Sequence, residues 1–153
     1  MGLDDKQGFE RRTSLILLQY WNALRNDRDF PKPDEVDPAQ LSLVWPHCFM
    51  IEIKKSKKST DYDFSYLGPD LLNAYNSGPL DKFNGKMVSP DAKLTAHLFE
   101  EVMASKDPML DEGEYKNPSG SLVLFRQALM PLGAKSKSVD AILGGAWYKL
   151  QDA

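Results

Sequence analysis

Residues 48–68 read CFMIEIKKSKKSTDYDFSYLG. Two alternating runs flank a polar turn. In the first, Phe49, Ile51 and Ile53 share one side and Glu52 takes the other. In the second, Tyr62, Phe64 and Tyr66 oppose Asp63 and Ser65. A period of two is the mark of a strand, because successive side chains point to opposite faces. The segment KKSKKSTD between them is a solvated turn, so the stretch predicts an antiparallel hairpin. Its apolar side needs a cover, and the rest of the chain has to supply it.

Upstream, residues 9–25 predict a helix. Leu17, Tyr20, Trp21 and Leu24 fall at i, i+3, i+4 and i+7 on one side. Leu15 and Leu18 widen the stripe, while Arg12, Gln19 and Asn22 mark the far side. Such a stripe needs a partner, either the body of its own domain or a second copy of the chain. Pro31, Pro33 and Pro38 then forbid a continuous helix. Asp37 is placed to cap a short helix, PAQLSLVW, with Pro38 at its first position. Arg25 and Arg28 are expected to tie the carboxylates of this lead-in segment.

Downstream, PDLLNAYNSG and LDKFNGKMV read as short helical turns, and Pro90–Lys106 reads as a long helix. At 100° per residue, Leu94, Thr95, Leu98, Phe99, Val102 and Met103 fill one arc, and Lys93, His97, Glu100 and Glu101 the opposite one. Three strand-like runs follow: MLDEGEY, SLVLFRQALMPL and VDAILGGAWYKL. The turns NPSG and GAKSKS connect them. The order predicts an α+β fold, with helices over one face of a five-stranded antiparallel sheet.

Composition narrows the function classes. The chain has 153 residues, 42% of them apolar and 27% charged, an ordinary globular balance that predicts one domain. A net charge of −3 supplies no general attraction to nucleic acid, and the basic run Lys54–Lys58 reads as a solvated turn. One cysteine, Cys48, excludes an internal disulfide and a cysteine-rich zinc site. No apolar run approaches the ~20 residues needed to span a bilayer, and no signal-peptide core opens the chain. A cytoplasmic location is the expectation, with no membrane partner.

The opening motif Tyr20-Trp21, Leu24-Arg25, Arg28, Pro31 and Val36-Asp37-Pro38, followed by Trp45-Pro46 and FMIEI, resembles that of a bacterial stand-alone PAS domain family. Further along, YLGPDL (66–71), FNGK (83–86), MPL (130–132) and VDAILGG (139–145) resemble the family's later motifs in the same order. The resemblance spans about Leu15 to Lys149. It departs where Asn26 replaces a glycine of the opening motif, Pro33 an arginine, Glu35 an aspartate, and where Ser65 replaces a common basic residue. It implies a PAS-like sheet with an N-terminal flanking helix, residues 1–38 forming helix and lead-in and 39–150 the core. It also implies a sensory or regulatory module rather than an enzyme, often with a small ligand between sheet and helices and often paired through the first helix.

On that reading Phe49, Ile51, Phe64 and Tyr66 line a cleft from the sheet, with Tyr62 beside them, and Leu98, Phe99, Val102 and Met103 close it from the long helix. Tyr66, Arg126 or Gln127 supplies polarity according to strand register, Arg126 being the preferred ligand contact. The alternative is that these side chains simply fill the core. The ligand would be small and apolar or of mixed polarity. Haem is not expected, because His97 lies in the polar arc. Nor is flavin, because the light-sensing PAS domains that bind it carry a reactive cysteine in a helical motif absent here. No metal set and no catalytic constellation is found. Leu17, Tyr20, Trp21 and Leu24, with the outer sheet face around Trp147 or Tyr148, are the expected homodimer or partner surface. A signalling protein acting in trans would carry the output. Two other readings stay open: a small-molecule binding protein without a signalling role, and a small cone-fold enzyme of ketosteroid-isomerase shape, which needs a carboxylate or histidine in its cleft.

Overall fold

The computed structural model describes residues 2–71, 92–116, 120, 122–135 and 137–151. Helix α1 runs Gly2–Arg25. It ends where Asn26 takes a left-handed conformation, φ 56°, the position where the PAS opening motif carries glycine. Asparagine is the next-best residue there, because its short polar side chain tolerates positive φ. Three single 3-10 turns follow, at Pro33–Glu35, Pro38–Leu41 and Trp45–His47. The second is capped as expected, the Asp37 carboxylate accepting from the Ala39 amide at 3.0 Å.

The hairpin forms as β1, Cys48–Lys55, and β2, Thr60–Leu67, closed by Ser56 N–H donating to the Ser59 carbonyl at 2.8 Å. Lys54, Lys55, Lys57 and Lys58 are exposed around the turn. Helix α2 is Ala92–Ser105 and ends at Lys106, φ 60°. Strands β3 (Met109–Lys116), β4 (Leu122–Leu132) and β5 (Ala141–Gln151) complete the sheet. All pairings are antiparallel, in the order β2-β1-β5-β4-β3. The turns expected from PDLLNAYNSG and LDKFNGKMV lie almost wholly outside the described residues.

The two glycines of β5 show how the layers sit. Gly144 lies under the Phe49 ring, and a Cβ there would collide with it. Gly145 points the other way and lies under Leu17 of α1. One face of the sheet therefore looks to α2, where Tyr62 meets Phe99 with ring centroids 5.1 Å apart. The other face is covered by α1, which packs over β4 and β5. With both faces covered, Ala128–Leu132 and Ala141–Ala146 are buried without alternation.

Candidate functional site

The lead-in segment is a joint built around α1. Arg28 holds Glu35 with two hydrogen bonds, of 2.7 and 3.0 Å, and also donates to the Leu24 and Arg25 carbonyls. The Arg28 contact, and after it the Lys32 backbone N–H, holds the Glu35 carboxyl below its ordinary pKa. Tyr20 Oη accepts from the Asp37 amide at 2.8 Å. Trp21 Nε1 donates to the Pro131 carbonyl at 2.8 Å, tying α1 to the end of β4. Arg25 departs from expectation: it bonds Asn22 and the Arg28 carbonyl and stacks over Trp21, so Arg28 alone of the two arginines grips a carboxylate here.

The expected interface stripe is used inside the chain. Leu17 is fully buried, Trp21 nearly so, and Tyr20 and Leu24 are half-buried. The two surfaces expected to await a partner, the stripe and the outer sheet face, cover one another. The large apolar side chains left exposed on that side are Leu15, Leu18 and Leu110.

The cleft residues divide between the two faces. Phe49 and Ile51 are buried on the α2 side, and Phe64 meets Phe49 edge-on at 5.9 Å. Phe99 and Val102 reach this face fully buried, with Leu98 and Met103 half-buried beside them. Tyr66 does not join them. Register shifts between Met50 and Ile51, so Met50 pairs with Tyr66 while Ile51 pairs with Phe64, and Ser65 is the extra residue of a bulge. A bulge breaks the period of two. Tyr66 is thereby turned to the α1 side, stacked on Trp45 at 4.2 Å, its hydroxyl donating to the Trp45 carbonyl at 2.9 Å.

Arg126 is corrected in the same way. It pairs with Trp147 on the α1 side and binds Glu112 at 3.1 Å. Its neighbour Gln127, paired with Ala146, is the one that faces α2, nearly buried and donating to the Asp111 carboxylate at 3.0 Å. The α2 face thus carries an apolar floor with a Gln127–Asp111 pair at one edge. At the other lies the Tyr62 hydroxyl, which is buried and, among the described residues, has no hydrogen-bond partner. Burial, and then the charge of Glu100, push Tyr62 above its ordinary pKa.

The remaining reactive groups lie elsewhere. His97 is exposed on α2 and pairs with Glu101 at 3.0 Å. His47 is half-buried on the α1 side, its Nε2 3.1 Å from Asp70 and its ring 5.3 Å from Trp147. Cys48 is buried, donates to the Val44 carbonyl, and is pushed by burial up to about 12, which suppresses thiolate chemistry. Among the described residues no cluster of three metal-ligating side chains occurs, and no helix is long and apolar enough to cross a membrane.

A PAS domain family model matches residues 9–65, from α1 into β2. Among solved structures, the fold resembles the d2 variant of RsLOV, at 13% identity and TM-score 0.50, covering 74% of this chain and 68% of that one. The Rhodobacter sphaeroides LOV protein aligns at 10% identity and TM-score 0.47, covering 69% of this chain; the chain spans 63% of that protein's length. The photo-excited state of the fungal blue-light photoreceptor Vivid aligns at 14% identity and TM-score 0.48, covering 85% and 93%. No curated protein matches the sequence. The match over residues 9–65 and the five-stranded order together identify a chain that resembles the PAS family in sequence and is PAS-like in fold.

Proposed function

We propose that the chain is a single PAS-like domain acting as a sensory or regulatory module, which binds a small ligand between the sheet and α2 and works by binding rather than turnover. The observation that carries this reading is the polarity of an otherwise apolar face. A buried hydroxyl (Tyr62) and a nearly buried amide (Gln127) flank Phe49, Ile51, Phe64 and Phe99. An apolar floor with a few directed polar groups is the usual chemistry of a small-ligand site. Both histidines lie away from this face, and Asp111 is engaged by Gln127, which supports binding over acid–base catalysis. A ligand there would bias how α2 seats on the sheet, and a signalling protein in trans would read the change.

Native mass spectrometry of protein purified without denaturation tests this. The expected result is a bound small molecule whose occupancy falls in Tyr62→Phe and Gln127→Leu. A bare polypeptide mass, together with no thermal shift across a metabolite panel, would end the ligand reading.

A further inference from the structure

Two lysine-bearing turns meet at one end of the sheet. The first closes the β1–β2 hairpin, where Lys54, Lys55, Lys57 and Lys58 are all exposed. The second is the β4–β5 connection, where Lys135 and Lys137 are exposed. The register sets them side by side. Glu52 of β1 pairs with Ala141 of β5, Ala141 pairs with Leu132 of β4, and the Ile53 amide donates to the Asp140 carbonyl at 2.9 Å. Neighbouring strands lie ~4.8 Å apart, so the turns are separated by about one or two strand spacings. Their charges do not cancel. Segments 54–61 and 133–140 carry six lysines against Asp61 and Asp140. Asp140 is half-buried and accepts the Ala134 amide. The next carboxylates, Glu52 and Asp63, sit two rungs down the hairpin, where Asp63 lies 3.9 Å from Lys54. Among the described residues, Lys55, Lys57, Lys58, Lys135 and Lys137 make no ion pair. The whole chain is −3, so the body behind this end is acidic.

We infer that this end of the sheet docks reversibly on an anionic lipid surface. Read alone, Lys54–Lys58 is a solvated turn; the fold adds Lys135 and Lys137 to it and makes one basic pole. Clusters of about four to eight basic side chains are what anionic leaflets attract. The residue types favour lipid headgroups over nucleic acid. Every cation is a lysine, a flexible point charge, and neither segment carries an arginine fork or an aromatic ring to grip a phosphate or stack on a base. The lysines stand on hairpin tips, which meet a flat, fluid surface without needing a matching cavity. The acidic body behind them is repelled by the same surface, so the molecule approaches with this end first. The proposal goes beyond the ligand reading and does not depend on it.

Co-sedimentation of the full chain with phosphatidylcholine vesicles, with and without phosphatidylglycerol, is the test. The expected result is binding to the anionic vesicles alone, weakening as salt rises. Each lysine removed should weaken it about fivefold, the equivalent of ~1 kcal/mol. Lys57→Gln with Lys58→Gln, and Lys135→Gln with Lys137→Gln, should therefore each weaken it by about twentyfold. Melting should not change, because all four side chains are exposed. Arg12→Gln lies outside this end, next to the Thr13 that sits over Gly145, and should change nothing. Equal binding to neutral and anionic vesicles, or none to either, overturns the inference. So does a loss confined to the hairpin pair, since the surface is then one turn and not two. Fluorescence anisotropy with duplex DNA is the second arm. Saturation of the DNA at a salt concentration that already frees the protein from vesicles assigns this end to nucleic acid and overturns the inference as well.

Discussion

Asn26 is where sequence and backbone meet most directly. Its positive φ ends α1 at the site of the PAS family's glycine. Asn26→Gly should be neutral or slightly stabilising, whereas Asn26→Ala should cost about 1 kcal/mol in urea unfolding, since alanine has no side chain to offset the left-handed strain. His47 makes a second prediction at this scale. Burial holds its imidazole below the ordinary value of 6.5, and Asp70 opposes that only in part. The unfolded chain then binds the proton more tightly than the native one. Stability from this group is complete above 6.5 and falls as pH drops toward the lower native value. Thermal melts between about pH 5 and 7 should show that loss in the wild type and a flatter profile in His47→Gln. Nothing in the sequence marked His47 as half-buried, because its neighbours Asp70 and Trp147 are distant in the chain.

The elements were legible wherever their period was intact. Phe49, Ile51 and Ile53 alternate on β1 and hold one face, and Asp37-Pro38 starts a 3-10 turn, Pro38–Leu41, shorter than the helix expected over PAQLSLVW. Reading failed where the period broke. One residue, Ser65, sends Tyr66 to the opposite side from Phe64, and YDFSY has the same polarity pattern with or without a bulge. Arg126 and Gln127 could not be ordered either, because β4 is apolar on both faces from Ala128 onward and gives no phase. The glycine pair of β5 yields a test at this scale. Gly145→Ala should push against Leu17 and destabilise by about 1–3 kcal/mol, as overpacking does. Combining it with Leu17→Ala should cost less than the sum of the two single changes, a coupling that a double-mutant cycle reads directly.

For the whole molecule, the sequence stated that α1 needs a partner but not which one, since the width of a stripe does not name the surface opposite. The answer, its own sheet, changes what removing α1 would do. Each of Leu17 and Trp21 contributes roughly 1.5–3 kcal/mol by burial, and Trp21 adds its bond to Pro131. Deleting residues 1–26 should therefore yield a chain that binds a hydrophobic dye and loses its cooperative melt.

The seating of α1 over Gly145 also handicaps anything that would use the sheet's outer face. A competitor for the part of β4 and β5 under α1 must first lift the helix, so its apparent affinity is its intrinsic affinity reduced by the fraction of time the helix is up. Each ~1.4 kcal/mol of helix docking weakens such a competitor tenfold. The same arithmetic runs in reverse: a substitution that loosens Leu17 would open the face to strangers in proportion. The first helix is thus a resident occupant, and its grip decides how selective that side of the molecule is.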